Sequence, residues 1–323
     1  MEFHRRHFLR LATGAAALPL AACAAWAQTY PTRPVRLIVT FAAGSAPDIV
    51  ARLAGQHLSE RLGQQFIIEN KPGAAGNIGT EYVAKAEPDG YTILMPVSSN
   101  AVNVALYRDL NFDFMRDIAP IAGIAKTVFV MVVPPSFPAK TLPELTAYLK
   151  ANPGKANMGS AGIGGSPHLL GELFQLMTGT RMLHVPYRGN FMPDLLAGEV
   201  HVVFAPIAQV LTLIREGKLR ALGVSTAKRT AALPDVPAIG EFVPGYDGHG
   251  WYGLGAPAKT PPEIINKLSG AMNEAVADPM VKERFSQLGV DPMPLTPDGF
   301  AKHLAEEIDK WAKVIKAQGI QVK

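Results

Sequence analysis

A single cysteine, Cys23, stands in the 323 residues. Past it, disulfide frameworks, thiolate metal sites and cysteine nucleophiles are excluded. Cationic runs are missing too. The chain carries 31 Lys and Arg against 27 Asp and Glu, a balance of +4, and no basic stripe interleaves with its 8% of aromatic residues. That excludes a nucleic-acid-binding surface. No apolar stretch reaches the ~20 residues that a membrane-spanning helix needs. The signatures of catalysis fail one by one. No G-x-x-x-x-G-K-[ST] occurs, Gly162 and Gly164 open a G-x-G-x-x-G pattern that Pro167 breaks, and Ser160 lacks the flanking glycines of a nucleophile elbow. His57, His168, His184, His201, His249 and His303 show no i, i+4 metal pairing, and no acidic pair is placed for acid–base work. No metal, cofactor or enzymatic activity is expected.

Hydrophobic residues make up 48% and charged residues 18%, enough for a sizeable core, and the length suits two lobes rather than one. The chain begins with an export leader. Arg5 and Arg6 precede His7, Phe8 and Leu9 in the twin-arginine arrangement. An apolar segment over 11–25 is interrupted by Gly14 and Pro19, and Ala25-Trp26-Ala27 forms an A-x-A cleavage site before Gln28. Residues 1–27 are thus read as a signal peptide, whose removal takes away three basic residues and one acidic one and leaves a balance of +2. Leu20-Ala21-Ala22-Cys23 offers a rival, a lipoprotein box that would tether the protein through Cys23. Cleavage after Ala27 is preferred because it leads straight into the first structured segment, giving a soluble periplasmic protein.

Beyond the leader, the pattern alternates between strand and helix. The β-branched run at 33–40 predicts a buried strand, followed by a helix over 47–62 with Ile49, Leu53, His57 and Leu58 near one face. Strands at 65–69 and 91–95 flank a Gly-rich turn at 72–76 and a short helix through 81–86. The apolar run 121–133 predicts one long strand, and Thr141 with Glu144 forms a capping box that starts a helix. The pattern then restarts, with strand 155–160, loop 162–165, helix 166–177, strands 182–186 and 200–204, a helix through Glu216 and a strand at 219–225. A strand at 249–254 leads back, and Thr260 and Thr296 predict N-caps for the last helices, each with Pro at the first helical position. This order predicts an α/β fold of two doubly wound lobes with a ligand cleft between them. The second lobe, 128–247, is inserted into the first, 28–127 plus 248–323, so the chain crosses between lobes near Thr127 and Gly248.

Ligands of open α/β sheets bind at the carboxyl ends of strands, where helix N-termini point. Two loops have the right form. One holds Phe41, Ala43, Gly44 and Ser45 and runs to Asp48; the other holds Ser160, Ala161, Gly162, Gly164, Gly165 and Ser166 and runs to His168. Small residues let a ligand approach the backbone, and exposed N–H groups together with the helix dipole favour an anion. Each helix end contributes only ~0.3–1 kcal/mol, so several donors must converge. Capping alone accounts for Ser45 with Asp48 and for Ser166 with Pro167, but it does not call for Gly162, Gly164 and Gly165. Ser98, Ser99 and Asn100 form a third donor cluster, after the 91–95 strand. His168 follows the Gly-rich loop in the first helical turn and is expected to face a ligand, whereas His184 reads as structural.

Assembled in order, these segments resemble the Bug family, the solute receptors of tripartite tricarboxylate transporters, over essentially the whole mature chain. The resemblance is carried by residues 41–52, by Glu69-Asn70-Lys71-Pro72-Gly73-Ala74-Ala75-Gly76-Asn77-Ile78-Gly79 and by Pro88-Asp89-Gly90-Tyr91-Thr92. Residues 159–168, His184-Val185-Pro186-Tyr187-Arg188-Gly189 and Leu233-Pro234-Asp235-Val236-Pro237 complete it. It implies the type II periplasmic-binding-protein fold. It also implies a small carboxylate, such as a di- or tricarboxylate or an aromatic acid, held by backbone amides and hydroxyls of the two loops rather than by an Arg. The implied partners are integral membrane transporter subunits, served by a monomeric receptor. The chain departs from the family pattern at Ser45, where Gly is usual, at Pro47, where Thr or Ser is frequent, at Ala205, where Asp is frequent, and in a shortened segment after Gly189. These positions bear on the distal end of the ligand.

Two other readings compete, a ligand-loaded sensor for a histidine kinase and a secreted hydrolase using Ser160 or Ser166 with His168. The leader supplies the first test. Changing both Arg5 and Arg6 to Lys leaves precursor in the cytoplasm, and mass spectrometry of the exported form finds Gln28 at the N-terminus. A diacylated Cys23 would instead establish the lipoprotein.

Overall fold

The computed structural model describes residues 30–107, 109–187 and 190–321. The expectations for the signal peptide, Cys23 and Gln28 lie outside the described residues, as does Arg188. The strands are β1 (Val35–Val39), β2 (Phe66–Asn70), β3 (Thr92–Met95), β4 (Ile118–Thr127), β5 (Phe129–Val133), β6 (Asn157–Ser160), β7 (Leu183–Pro186), β8 (Val202–Pro206), β9 (Arg220–Val224), β10 (Gly250–Pro257) and β11 (Val290–Leu295). The helices are α1 (Ala46–Leu62), α2 (Asn77–Ala84), α3 (Ser98–Leu106), α4 (Phe114–Asp117), α5 (Leu142–Ala151), α6 (Ser166–Thr178), α7 (Met192–Ala197), α8 (Ile207–Arg215), α9 (Pro262–Ala277), α10 (Pro279–Gln287) and α11 (Pro297–Gln318). Among the described residues no helix is long and apolar enough to cross a membrane.

Two mixed sheets organise these elements, one ordered β11-β4-β10-β3-β1-β2 and the other β7-β6-β8-β5-β9. In the first, β1 lies parallel to β2 and β3, and β10 is antiparallel to β3 and β4. In the second, β6 lies parallel to β7 and β8, and β5 is antiparallel to β8 and β9. The two orders are therefore the same motif, and in each sheet the antiparallel strand arrives from the other sheet. Loops after β1 and β6 occupy equivalent places, as do those after β3 and β8.

The apolar run 121–133 is not one strand. It breaks at Val128, leaving β4 in the six-stranded sheet and β5 in the five-stranded one. Hydropathy gives no mark of the break because the strands are buried on both faces, which makes each a continuous apolar run. The return path lies against the outward one. Ser225 N–H donates to Phe129 O at 2.8 Å, Phe129 N–H donates to Ser225 Oγ at 3.2 Å, and Gly248 N–H donates to Ser225 O at 2.9 Å.

The N-cap expected at Thr296 forms, its hydroxyl accepting from Gly299 N–H at 3.2 Å. The one expected at Thr260 does not. Pro261 and Pro262 follow it, so the first proline takes the cap position and the second starts α9, leaving Thr260 Oγ1 buried without a partner among the described residues. Helix α11 spans both sheets. Phe300 and Leu304 join Trp251 beside the six-stranded sheet, while Trp311, Val314 and Ile315 enter the core of the five-stranded one. Between them Glu307 accepts from Trp251 Nε1 at 3.3 Å and Trp311 Nε1 at 2.9 Å and pairs with Lys310. Burial pushes its carboxyl up, but Lys310 beside it holds it below the ordinary range.

Gly253 in β10 is where α11 presses closest. A Cβ there would lie 2.2 Å from Phe300 Cζ and 2.9 Å from Ala122 O. Gly253→Ala is expected to destabilise the protein by ~1–3 kcal/mol, read as a lower urea midpoint at unchanged m. A wild-type midpoint would show that α11 is not seated there.

Candidate functional site

The strand order locates a crevice in each sheet. The chain leaves β1 toward β2 on one side and returns to β3 on the other, so the connections after β1 and β3 diverge. The same reversal occurs between β6 and β8. Helices α1, α3, α6 and α8 begin at these strand ends. The two halves meet there. Ser98 Oγ, at the start of α3, lies 3.3 Å from Ser166 Oγ, at the start of α6. A Cβ on Gly164 would come within 2.6 Å of Leu106 Cδ2 on α3.

Three of the helix starts at these strand ends share a device that α5 also has, where Lys140 N–H donates to Glu144 Oε2 at 2.8 Å. The residue at the third helical position reaches back to an amide that precedes the helix. In α1, Gly44 N–H donates to Asp48 Oδ2 at 2.9 Å. In α6, Gly164 N–H donates to His168 Nδ1 at 3.1 Å. In α3, Val97 N–H donates to Asn100 Oδ1 at 2.8 Å. Gly44 and Gly164 both sit in the left-handed region, at φ of 79° and 78°, and Pro occupies the second helical position after each. The chain thus repeats Gly-x-x-Pro-acceptor, with Asp48 in one half and His168 in the other. Each acceptor is oriented by a residue one turn on. Arg52 Nε donates to Asp48 Oδ2 at 2.9 Å, and His168 Nε2 lies 3.4 Å from Glu172 Oε1.

Beside these locks, the first-turn amides at α1 and α6 also lack a side-chain cap, whereas at α3 the Asn100 amide donates to Val97 O at 2.8 Å and at α5 Thr141 supplies a cap. Ser45, Val97 and Gly165 stand at the N-caps of α1, α3 and α6 and make no side-chain cap bond there. Asp113, Thr141, Asp278 and Thr296 cap α4, α5, α10 and α11 with their side chains. The expected donors around Gly44 to Ser45 and Gly162 to Ser166 therefore divide. Gly44 and Gly164 amides are taken by the locks, Ser45 N–H donates to Ala42 O at 3.2 Å, and Gly162 N–H donates to Ser160 Oγ at 3.1 Å. Among the described residues, the amides of Ala43, Ala161, Ile163, Gly165 and Ser166 meet no acceptor. Phe41, Ser45, Ser98, Ser99 and Ser166 are part-exposed around them, while Asp48, Asn100, Ser160 and His168 are buried behind.

The structure thus corrects the orientation expected of His168. Its acceptor nitrogen points at the Gly164 amide and the residue is 4% exposed. It stacks on His184 at 3.8 Å between centroids, and His184 Nε2 lies 2.6 Å from Ser160 Oγ. Burial, then the neighbouring His168, depress the His184 pKa to about 4, so that ring is neutral near pH 7. The Ser160 hydroxyl is fully buried within its own loop, so it offers no nucleophile to a solute. Ser166 is the first residue of α6 rather than its cap, Gly165 taking that place.

Sequence reasoning missed two supports. Ala74 and Ala75 hold left-handed φ of 46° and 54°, unusual for residues with a Cβ. Ser99 Oγ and Asn103 Nδ2 pin that turn by donating to Ala75 O at 3.3 and 3.0 Å. It also missed the repeated Gly-x-x-Pro-acceptor pattern with its partner one turn on, a signal the sequence carries. A groove of about 720 Å³ lies at the opposite, amino ends of β1 and β3, lined by Arg33, Arg36, Tyr82 and Tyr91. Its cations are already paired, Arg33 with Asp89 at 2.8 Å and Arg36 with Glu69 at 2.6 Å.

Residues 50–320 match the model of the tripartite tricarboxylate transporter family receptor. The protein BugT of Bordetella pertussis is 36% identical over 318 residues, covering 97% of this chain and 96% of its own length. Two solved structures are similar throughout. The R. palustris protein Rpa4515 with adipate superposes with a TM-score of 0.78 at 35% identity, covering 90% of this chain and 99% of that one. MatC (Rpa3494) from Rhodopseudomonas palustris with bound malate gives 0.74 at 31% identity, covering 88% and 100%.

The lock at Asp48 is testable on its own. Burial raises this carboxyl, but Arg52, the Gly44 amide and Asn70 outweigh it and hold the pKa below the ordinary range. A depressed folded pKa contributes stability above the unfolded value of ~3.9, and that contribution is lost as pH falls. Asp48→Asn should lose roughly 1–3 kcal/mol at pH 7, and the gap from wild type should close below pH ~4. A gap that stayed constant to pH ~2 in denaturant titrations would contradict the charged lock.

Proposed function

Because the chain belongs to the family of tripartite tricarboxylate transporter receptors, we propose that it captures a small carboxylate in the periplasm and delivers it to integral membrane transporter subunits. It is a solute-binding receptor and not an enzyme, with the two-sheet α/β fold of periplasmic binding proteins. The proposed lobes are 28–127 plus 248–323 and 128–247, with the carboxylate between them. One observation carries the reading: three helix starts that lack a side-chain cap from their N-cap residue lie at strand carboxyl ends of both sheets, with Ser98 and Ser166 hydroxyls 3.3 Å apart. Such a site supplies dipole ends and neutral donors suited to a carboxylate. Relatives solved with adipate and malate support the same class for this chain. In this arrangement the amides of Ala43, Ala161, Ile163, Gly165 and Ser166, with the hydroxyls of Ser98 and Ser166, hold the anion, while Ser45 and Ser99 donate their hydroxyls to Ala42 O and Ala75 O and line the site. Phe41, Gly44, Gly162 and Gly164 shape the loops.

A thermal-shift panel of adipate, malate, succinate, citrate and benzoate tests the class. A ligand present at 100 times its Kd stabilises by ~2.7 kcal/mol, a shift that is readily measured. Silence from the whole panel would sink the reading. Calorimetry then tests how the anion is held. Gly164→Val, which forces a β-branched residue to φ of 78° and into Leu106, should abolish most binding. Arg188→Ala should cost less than ~1 kcal/mol if amides do the holding, and well over 2 kcal/mol if a bidentate Arg does.

A further inference from the structure

We infer that His168 is a positioning residue whose unprotonated Nδ1 holds the Gly164 loop in its ligand-binding shape, so that protonating this one imidazole loosens the site in the β6–α6 half while the Asp48 lock in the β1–α1 half stays shut. The inference rests on the receptor reading above and adds to it a proton-linked control. The geometry assigns the tautomer. An amide donor meets Nδ1, so Nδ1 carries no hydrogen and the ring's hydrogen sits on Nε2, facing Glu172 Oε1 at 3.4 Å. The Asp48 lock has the opposite polarity. There a carboxylate accepts the Gly44 amide, and Arg52 faces it from one turn on. A carboxylate goes on accepting across the whole range near neutrality. An imidazole does so only while its Nδ1 carries no proton.

The surroundings decide what protonation does. On its own helix His168 faces Glu172; from β7 it faces the neutral His184 ring, stacked at 3.8 Å; α3, packed across the gap, contains no charged residue; α11 presents Gln318 to the Glu172 carbonyl at 3.1 Å. A second ring hydrogen on Nδ1 would point at the Gly164 N–H, replacing a hydrogen bond by two opposed donors. Glu172 can receive the charge on Nε2, but nothing among these groups offers an acceptor to the new Nδ1–H. The ring or the loop must move, and the loop holds the uncapped Ile163 and Gly165 amides on either side of Gly164.

The experiment is a binding titration of wild type, His168→Asn and His168→Leu at pH 8 and pH 5.5, using whichever member of the panel above gives the largest thermal shift. Asn presents an amide oxygen close to where Nδ1 sits and does not titrate. Wild-type affinity should fall roughly three- to tenfold or more at the lower pH. His168→Leu should bind weakly at both, and His168→Asn should recover much of the loss in Leu with a pH profile lacking the wild-type fall. A wild-type affinity that is flat or rises on acidification overturns the inference, as does a fall of equal size in His168→Asn, which would belong to the ligand or another group. Imidazole nitrogen NMR of the ligand-free protein reads the lock directly. The Nε2–H tautomer at pH 8 supports it, and the Nδ1–H tautomer refutes it. Wild type that binds no panel member at pH 8 while showing the Nε2–H tautomer would instead count against the receptor reading.

Discussion

The N–H groups in the first turn of a helix have no partner inside the helix, and the site depends on where those groups are sent. Most proteins cap them with a Ser, Thr, Asp or Asn side chain, as Asp113, Thr141, Asp278 and Thr296 do here. At α1, α3 and α6 the side chain that reaches back binds a different amide, one before the helix; the first turns of α1 and α6 are left without a side-chain cap, and at α3 the Asn100 amide closes on Val97 O. The loop gains a rigid shape without losing the donors that face outward. Four short strands and a loop of small residues would not hold such a shape unaided, because glycine-rich backbone loses the most freedom on ordering.

Rigidity at the loops is matched by support beneath them. Asn70 ties Phe41 O and Asp48 Oδ1 together at 2.9 Å each, and Asn103 links the strained Ala75 carbonyl to Asn77. Buried polar groups satisfied in this way specify one arrangement, because any other leaves an unpaired group in a low-dielectric interior. The two halves are then joined at three places of different character. Strand β4 passes directly into β5, Ser225 clasps the return path, and α11 packs on both cores. The first two are chain crossings; the helix adds apolar packing on both cores, with Lys310 and Gln318 bonding Asp247 O and Glu172 O.

Most of the architecture was legible because two periodicities alternate and restart. Residues 33–40 and 155–160 each read as a strand followed by a small-residue loop and a helix, and the structure places those loops at equivalent positions. What hydropathy missed was the break at Val128, since strands buried on both faces give one apolar run whether they share a sheet or not. The helix at Ser98 was missed as well; its polar start reads as a loop, and its polar residues turn out to bond Ala75, Thr80 and Val97. At the site, residue types identified the loops but not the direction of each side chain. His168 follows a Gly-rich turn and so looks like a ligand contact. Only the left-handed φ of Gly164 turns the amide onto its ring.

The proposed site of amides and hydroxyls has a consequence for release. A guanidinium poised in a closed cleft would be buried and unpaired whenever the cleft was empty, and uncompensated buried charge is strongly unfavourable. It would also hold a carboxylate through a desolvated pair whose breaking is slow. Neutral donors avoid both penalties. Empty, they are satisfied by water; filled, they contribute through several modest charge-assisted bonds that are lost together when the two halves part. The donors come from both halves, with the α3 and α6 starts only a hydroxyl contact apart. In the proposed site, separation of the halves would remove part of the set at once, leaving the β1 loop and the α3 start on one side and the β6 loop on the other. Affinity is then a property of the closed arrangement rather than of any one residue, which is what a receptor needs if it must bind a scarce anion and still give it up.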